Sequence, residues 1–201
     1  MANPYHDPKS GEFTTSEGMS KLESITMRGK ATANRYRQSL YRINEKLRQA
    51  GGDLSAKQAN GIDVFGSSSK EDIAQLDTLT KSQQFLKDGV VYRGVEGKRF
   101  AKKLKDGAEL TDHGFMSTST SQSGVSAAMK DIGATGEVSM LRIEVPRGKS
   151  GFDMAPHREL RGSYRPQGTE SEVLFPRGTR LKITGRSTDE QGRELIHAKM
   201  L

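Results

Sequence analysis

Cysteine is absent from this chain of 201 residues, and so is tryptophan. The first absence excludes disulfides, thiolate nucleophiles and thiolate metal sites together. Histidine is scarce: His6, His113, His157 and His197 are the four, and none stands in an HExxH-like spacing, so the pattern argues against a zinc site. His113, just before a hydroxyl-rich stretch, reads as a loop residue rather than a general base. No apolar run is long enough to cross a membrane, and none resembles the core of a signal peptide. What is abundant is charge: 28% of residues are charged, with a net +7. The basic residues are spread along the chain, however. The densest cluster, Lys98, Arg99, Lys102, Lys103 and Lys105, sits at helical spacing and reads as a solvated helix face, so charge alone carries little weight for a nucleic-acid partner.

The pattern predicts one α+β domain behind a tail. Residues 1–19 are rich in Pro, Gly, Ser and Thr without periodicity, and read as disordered. Ser20 with Glu23 forms a capping-box pattern that opens a helical lobe over residues 20–86. Within it Tyr36, Leu40, Ile43 and Leu47 follow helical steps to a stop at Gly51-Gly52. After a loop, Ser68 with Glu71 repeats the capping pattern ahead of the stripe Ile73, Leu76, Leu79. Residues 87–201 are mainly β. Val90-Val91-Tyr92-Arg93 is a short β-prone run, followed by one more short helix around Phe100 and Leu104. Leu141, Ile143 and Val145 alternate with Arg142 and Glu144, the mark of a half-buried strand. A Gly/Pro-rich loop over residues 147–169 precedes the strand that carries Glu170 and Glu172 and runs on through Val173 to Phe175. Leu181 and Ile183 alternate again, and Ile196, Ala198 and Met200 close the sheet. Helices first and a mostly antiparallel sheet after them are the order expected of an α+β fold.

The stretch GTESEVLFPRGTRLKI places Glu170 and Glu172 on one face of a strand, where two like charges beside a buried run repel. Something must offset that cost. Either the pair lies at a solvated strand end, or it faces a site that uses two carboxylates. Singly, neither an Arg ending a strand (Tyr92-Arg93-Gly94) nor the run Ser117-Thr118-Ser119-Thr120-Ser121 demands a function, since hydroxyls in such runs commonly bond the local backbone.

Together and in order, these motifs resemble the R-S-E class of mono-ADP-ribosyltransferases, the family of the actin-modifying binary clostridial toxins and C3-like exoenzymes. An aromatic followed by Arg is matched by Tyr92-Arg93, an aromatic-x-S-T-S strand by Phe115 to Ser119, and Glu-x-Glu before an apolar strand by Glu170 to Phe175. The likeness covers about residues 20–201. It implies a single domain of two packed, mostly antiparallel sheets with an N-terminal helical lobe, residues 87–201 forming the NAD-binding core.

The resemblance implies that NAD is the ADP-ribose donor and that no metal is needed. It gives Arg93 to the pyrophosphate and Glu172 to the nicotinamide ribose, with Ser117 holding Glu172. It further gives Gly94, Thr118 and Ser119 to the cofactor's surroundings. Glu at position 170 implies an arginine acceptor, with Tyr164 and Gln167 in the substrate-recognition turns. Two departures stand out: relatives place an aromatic where this chain has Gln167, and no Phe, Tyr or Trp occurs between Phe115 and Phe152. Lys130 is the cation nearest the phosphate loop.

The chemistry asks for these residue types on its own account. A planar guanidinium binds pyrophosphate through two parallel bonds. Breaking the nicotinamide–ribose bond builds an oxocarbenium-like charge that a nearby carboxylate stabilises. The expected partners are NAD and a protein carrying a modifiable arginine, such as actin or a GTPase, with no membrane. The expected setting is an effector, a toxin or a phage-encoded enzyme made in the cytoplasm and acting on host proteins, without a receptor-binding domain of its own. Three readings compete: an NAD glycohydrolase, a transferase acting on nucleic acid, and a binding module that keeps the fold without the chemistry.

Overall fold

The computed structural model describes residues 42–96, 104–131, 138–154, 172–190 and 192–201, of which Glu96, Lys130, Asp131 and Val138 are defined by backbone alone. The expected tail, the Ser20/Glu23 capping pair, Tyr36, Leu40 and the basic cluster up to Lys103 lie outside these residues.

Helix α1 runs over residues 42–49. Ile43 and Leu47, one turn apart, supply its buried stripe, with Asn44 buried beside them. It stops where expected. Gly51 and Gly52 take φ of 60° and 82°, and the Gly52 N–H returns to the Leu47 carbonyl at 2.8 Å, a left-handed exit that a β-carbon would strain. Helix α2, Ser67–Thr80, buries Ile73, Leu76 and Leu79 as the spacing requires. The expected Ser68/Glu71 capping box does not form: the N-cap is Gly66, with no side-chain cap. Ser68 is already inside the first turn, so its hydroxyl is past the position that could cap it.

The strands are β1 Gly89–Glu96, β2 Glu109–Asp112, β3 Met116–Ser119, β4 Val138–Val145, β5 Phe152–Asp153, β6 Glu172–Phe175, β7 Thr179–Thr188 and β8 Glu194–Met200. Hydrogen bonds join all eight in the order β2-β7-β8-β4-β1-β3-β6-β5. Every neighbouring pair is antiparallel except β4 and β8. The join between β1 and β3 is a single registered pair, Tyr92 with Ser119, whereas β1 and β4 register along their whole length. The two expected sheets are therefore two sections of one sheet: β2, β7, β8, β4 and β1, then β3, β6 and β5. Their inner faces share a core. Val91, Leu141, Ile143, Ile183 and Ile196 from the first section meet Met116, Val173 and Phe175 from the second. Phe85 stacks on Phe175 with ring centres 5.8 Å apart. Burying each of these side chains stabilises the fold by about 1.5–3 kcal/mol.

A second core lies on the outer face of the smaller section. There Phe115, Phe152 and Leu174 pack against Leu47, Phe65, Ile73 and Leu76. A third covers the outer face of the larger section, under a helix that the sequence reading did not anticipate. This is α3, Gln122–Asp131, whose Val125 and Met129 lie on Tyr92, Met140 and Leu195. Ser121 starts it by accepting the Gly124 N–H at 3.1 Å. The loop expected over residues 147–169 contains β5. Among the described residues, no helix is long and apolar enough to cross a membrane.

Candidate active site

The ladder between β3 and β6 sets the site. Ser119 registers with Glu172 and Ser117 with Leu174, so strand alternation puts Ser117, Ser119 and Glu172 on one face. Glu172 is the first residue of β6 and is half-buried. Ser117 Oγ donates to Glu172 Oε1 at 2.8 Å, fixing the carboxylate against its own strand neighbour. Tyr92 extends the same row on β1 through its register with Ser119.

Thr118 and Ser119 turn their hydroxyls to the fold. Thr118 leaves the opposite face, and its Oγ1 donates to the Val173 carbonyl at 2.8 Å. Ser119 Oγ accepts the Ser121 N–H at 3.2 Å, shaping the turn into α3.

Arg93 leaves β1 on the face of Val91 and Val95, opposite Tyr92. Its guanidinium turns back toward the join. Nη1 lies 3.4 Å from the Ser117 carbonyl and 3.4 Å from Asp112 Oδ2. Ser117 thus binds both partners, its hydroxyl to Glu172 and its carbonyl to Arg93. Ser117 is the link between Glu172 on β6 and Arg93 on β1, at the line where the two sections of the sheet part.

Asp112 and Asn44 were not singled out from the sequence. Asp112, 9% exposed, receives a fork from Arg48 of α1: Nε to Oδ1 at 2.8 Å and Nη2 to Oδ2 at 3.0 Å. Its Oδ1 also accepts the Gly114 N–H at 2.9 Å. Burial alone would push this carboxyl up. The Arg48 fork, the Arg93 charge and the Gly114 bond outweigh it and hold Asp112 below the usual carboxylate range. Asn44, four residues before Arg48 and buried, grips Phe115 at both backbone groups. Its Nδ2 donates to the Phe115 carbonyl at 3.1 Å, and its Oδ1 accepts the Phe115 N–H at 2.8 Å. One face of α1 therefore holds the Asp112–Phe115 loop that delivers Ser117. Asp-His-Gly is a turn signature, and the four-residue step from Asn44 to Arg48 puts both on one helix face. Those signals were present, but their target was not.

Gly94 serves packing here. A β-carbon on it would fall 2.5 Å from Met129 Sδ, so the missing side chain admits α3. Glu170, Tyr164 and Gln167 lie outside the described residues, as does the side chain of Lys130. Among the described residues, no group of three or more His, Asp or Glu could hold a metal ion.

The family model described as ADP-ribosyltransferase exoenzyme matches residues 13–201. The fold is similar to that of Plx2a, an ADP-ribosyltransferase toxin from Paenibacillus larvae, at TM-score 0.65 and 23% identity over 90% of each chain. It is similar to C3larvin, an ADP-ribosyltransferase toxin of the same organism, at TM-score 0.61 and 19% identity over 94% of this chain and 96% of that one. It is similar also to C3stau2 from S. aureus, solved with NAD, at TM-score 0.65 and 17% identity over 94% and 99%. No curated protein matches at the sequence level.

Proposed function

The chain belongs to the ADP-ribosyltransferase exoenzyme family, and from that premise we propose that it moves ADP-ribose from NAD to an arginine of a target protein. The observation that carries the reading is the Ser117 bond that holds the Glu172 carboxylate, while the carbonyl of the same serine lies against Arg93.

In this reading Arg93 receives the NAD pyrophosphate. The nicotinamide–ribose bond then breaks, its electron pair returning to the pyridinium nitrogen, and neutral nicotinamide leaves. Positive charge develops at the anomeric carbon and ring oxygen of the ribose, and the Glu172 carboxylate stabilises it. A guanidine nitrogen of the acceptor forms the new bond to that carbon and gives up a proton. Glu170 takes that proton and orients the guanidinium through paired hydrogen bonds. This requirement for two carboxylates answers the repulsion that the Glu170/Glu172 pair introduces. Tyr164 and Gln167 contact the acceptor, and residues 20–201 form the catalytic domain. The setting that fits is a toxin or effector acting on a host protein, or a phage-encoded enzyme that modifies one.

The test is incubation with labelled NAD and agmatine, a free guanidine. Label on agmatine is the expected result. Free ADP-ribose alone, with agmatine unlabelled, would replace the transferase reading with an NAD glycohydrolase.

A further inference from the structure

Two guanidinium groups from different elements converge on one buried carboxylate, and neither the sequence motifs nor the family match accounts for that carboxylate. Arg48 reaches Asp112 from α1 and Arg93 reaches it from β1. Asp112 ends β2, and its backbone is fixed too: it registers with Thr179 of β7, and its carbonyl accepts the Gly178 N–H at 2.7 Å. The carboxylate is thus anchored to the larger sheet section, while the Ser117 carbonyl, 3.4 Å from the same Arg93 nitrogen, belongs to the smaller one.

We propose that Asp112 is a positioning residue for NAD: its carboxylate holds the Arg93 guanidinium across the line between the two sheet sections and keeps its fork aimed for pyrophosphate. The inference rests on the assignment of Arg93 to the pyrophosphate. An arginine side chain has many rotamers, and ordering one at the moment of binding weakens affinity. A carboxylate that orders it beforehand removes that cost. The same carboxylate also works against NAD, because its charge repels phosphate. The two effects have opposite signs, so experiment separates them cleanly.

Asp112→Asn keeps the size and one acceptor for the Gly114 N–H and removes the charge shared by the two arginines. NAD titration in the Glu172→Gln background reads affinity without turnover, and NAD splitting with Glu172 intact gives KM and kcat. The expected result is an NAD Kd and KM about 10-fold higher, with kcat within about twofold of the parent. An unchanged or tighter Kd overturns the proposal, since repulsion would then be the larger effect. A fall in kcat with unchanged KM also overturns it, because the residue would then act on chemistry or folding. Should Asp112→Asn fail to fold, Asp112→Glu keeps the charge but displaces it by one methylene, and the same rise in KM is expected. Loss of NAD splitting in Glu172→Gln is the separate check on the underlying reading. Full splitting by that variant sinks the active-site assignment, whereas normal NAD affinity in Asp112→Asn sinks only the positioning role.

Discussion

The two sections of the sheet are built on different terms. In the larger one, β1 and β4 are eight residues each and β7 is ten. Their ladders are long, their inner residues are mostly apolar, and the outer face of β7 carries Arg180 and Lys182. In the smaller section, β3 and β6 have four residues each and β5 has two. So few ladder bonds hold little by themselves, and this section carries Ser117 and Glu172. It is gripped from outside instead. Asn44 clamps Phe115. Arg177, just past β6, forks onto Asp77 of α2 at 2.9–3.0 Å and reaches the Gly52 carbonyl at 2.9 Å. The long strands make a scaffold that tolerates change. The short ones make a site whose precision depends on side chains of two helices.

Breaking that contrast should give effects of descending size. Glu172→Gln removes the charge that stabilises the ribose cation, and NAD splitting should fall about 10³-fold or more with an unchanged melting temperature. Asn44→Ala leaves the Phe115 N–H and carbonyl without their buried partner, and should cost about 2–4 kcal/mol in a denaturant titration. Arg177→Met, which severs a partly buried fork, should cost about 1–3 kcal/mol by the same measurement. Arg180→Ala on the larger section removes an ion pair to Glu109 in which both side chains are about half exposed, and should change stability by about 0–0.5 kcal/mol. An Arg180→Ala cost equal to that of Arg177→Met would erase the distinction.

Acid sharpens the comparison. Asp112 has a depressed folded-state value against an ordinary 3.8. Its contribution is therefore complete above that ordinary value and disappears as pH falls through the depressed one. The melting-temperature gap between the parent and Asp112→Asn should be widest near neutrality and shrink as the pH falls through that depressed value. A gap that widened in acid would contradict the ion-pair account.

The larger section was legible because alternation is a local signal. Leu141, Ile143 and Val145, then Leu181 and Ile183, then Ile196, Ala198 and Met200 all face the core as their spacing demands. The motif residues of the smaller section were legible through resemblance, and Ser117 and Glu172 do meet. What stayed hidden was tertiary. The α3 helix has only Val125 and Met129 as large apolar residues, too few for a period to show, and it forms because Tyr92, Met140 and Leu195 give it a surface. A two-residue strand such as β5 has no period at all. Asp112 and Asn44 looked like ordinary turn and helix polars until α1 was seen to lie over the β2–β3 loop. Glu170, Tyr164 and Gln167 were named from the sequence and lie beyond the described residues.

The lone pairing of Tyr92 with Ser119 has a mechanical meaning. Eight registers tie β1 to β4, but one ties β1 to β3, so few ladder bonds carry the join. What holds the two sections together there is the core common to their inner faces, in which Val91 and Leu141 meet Met116 and Phe175.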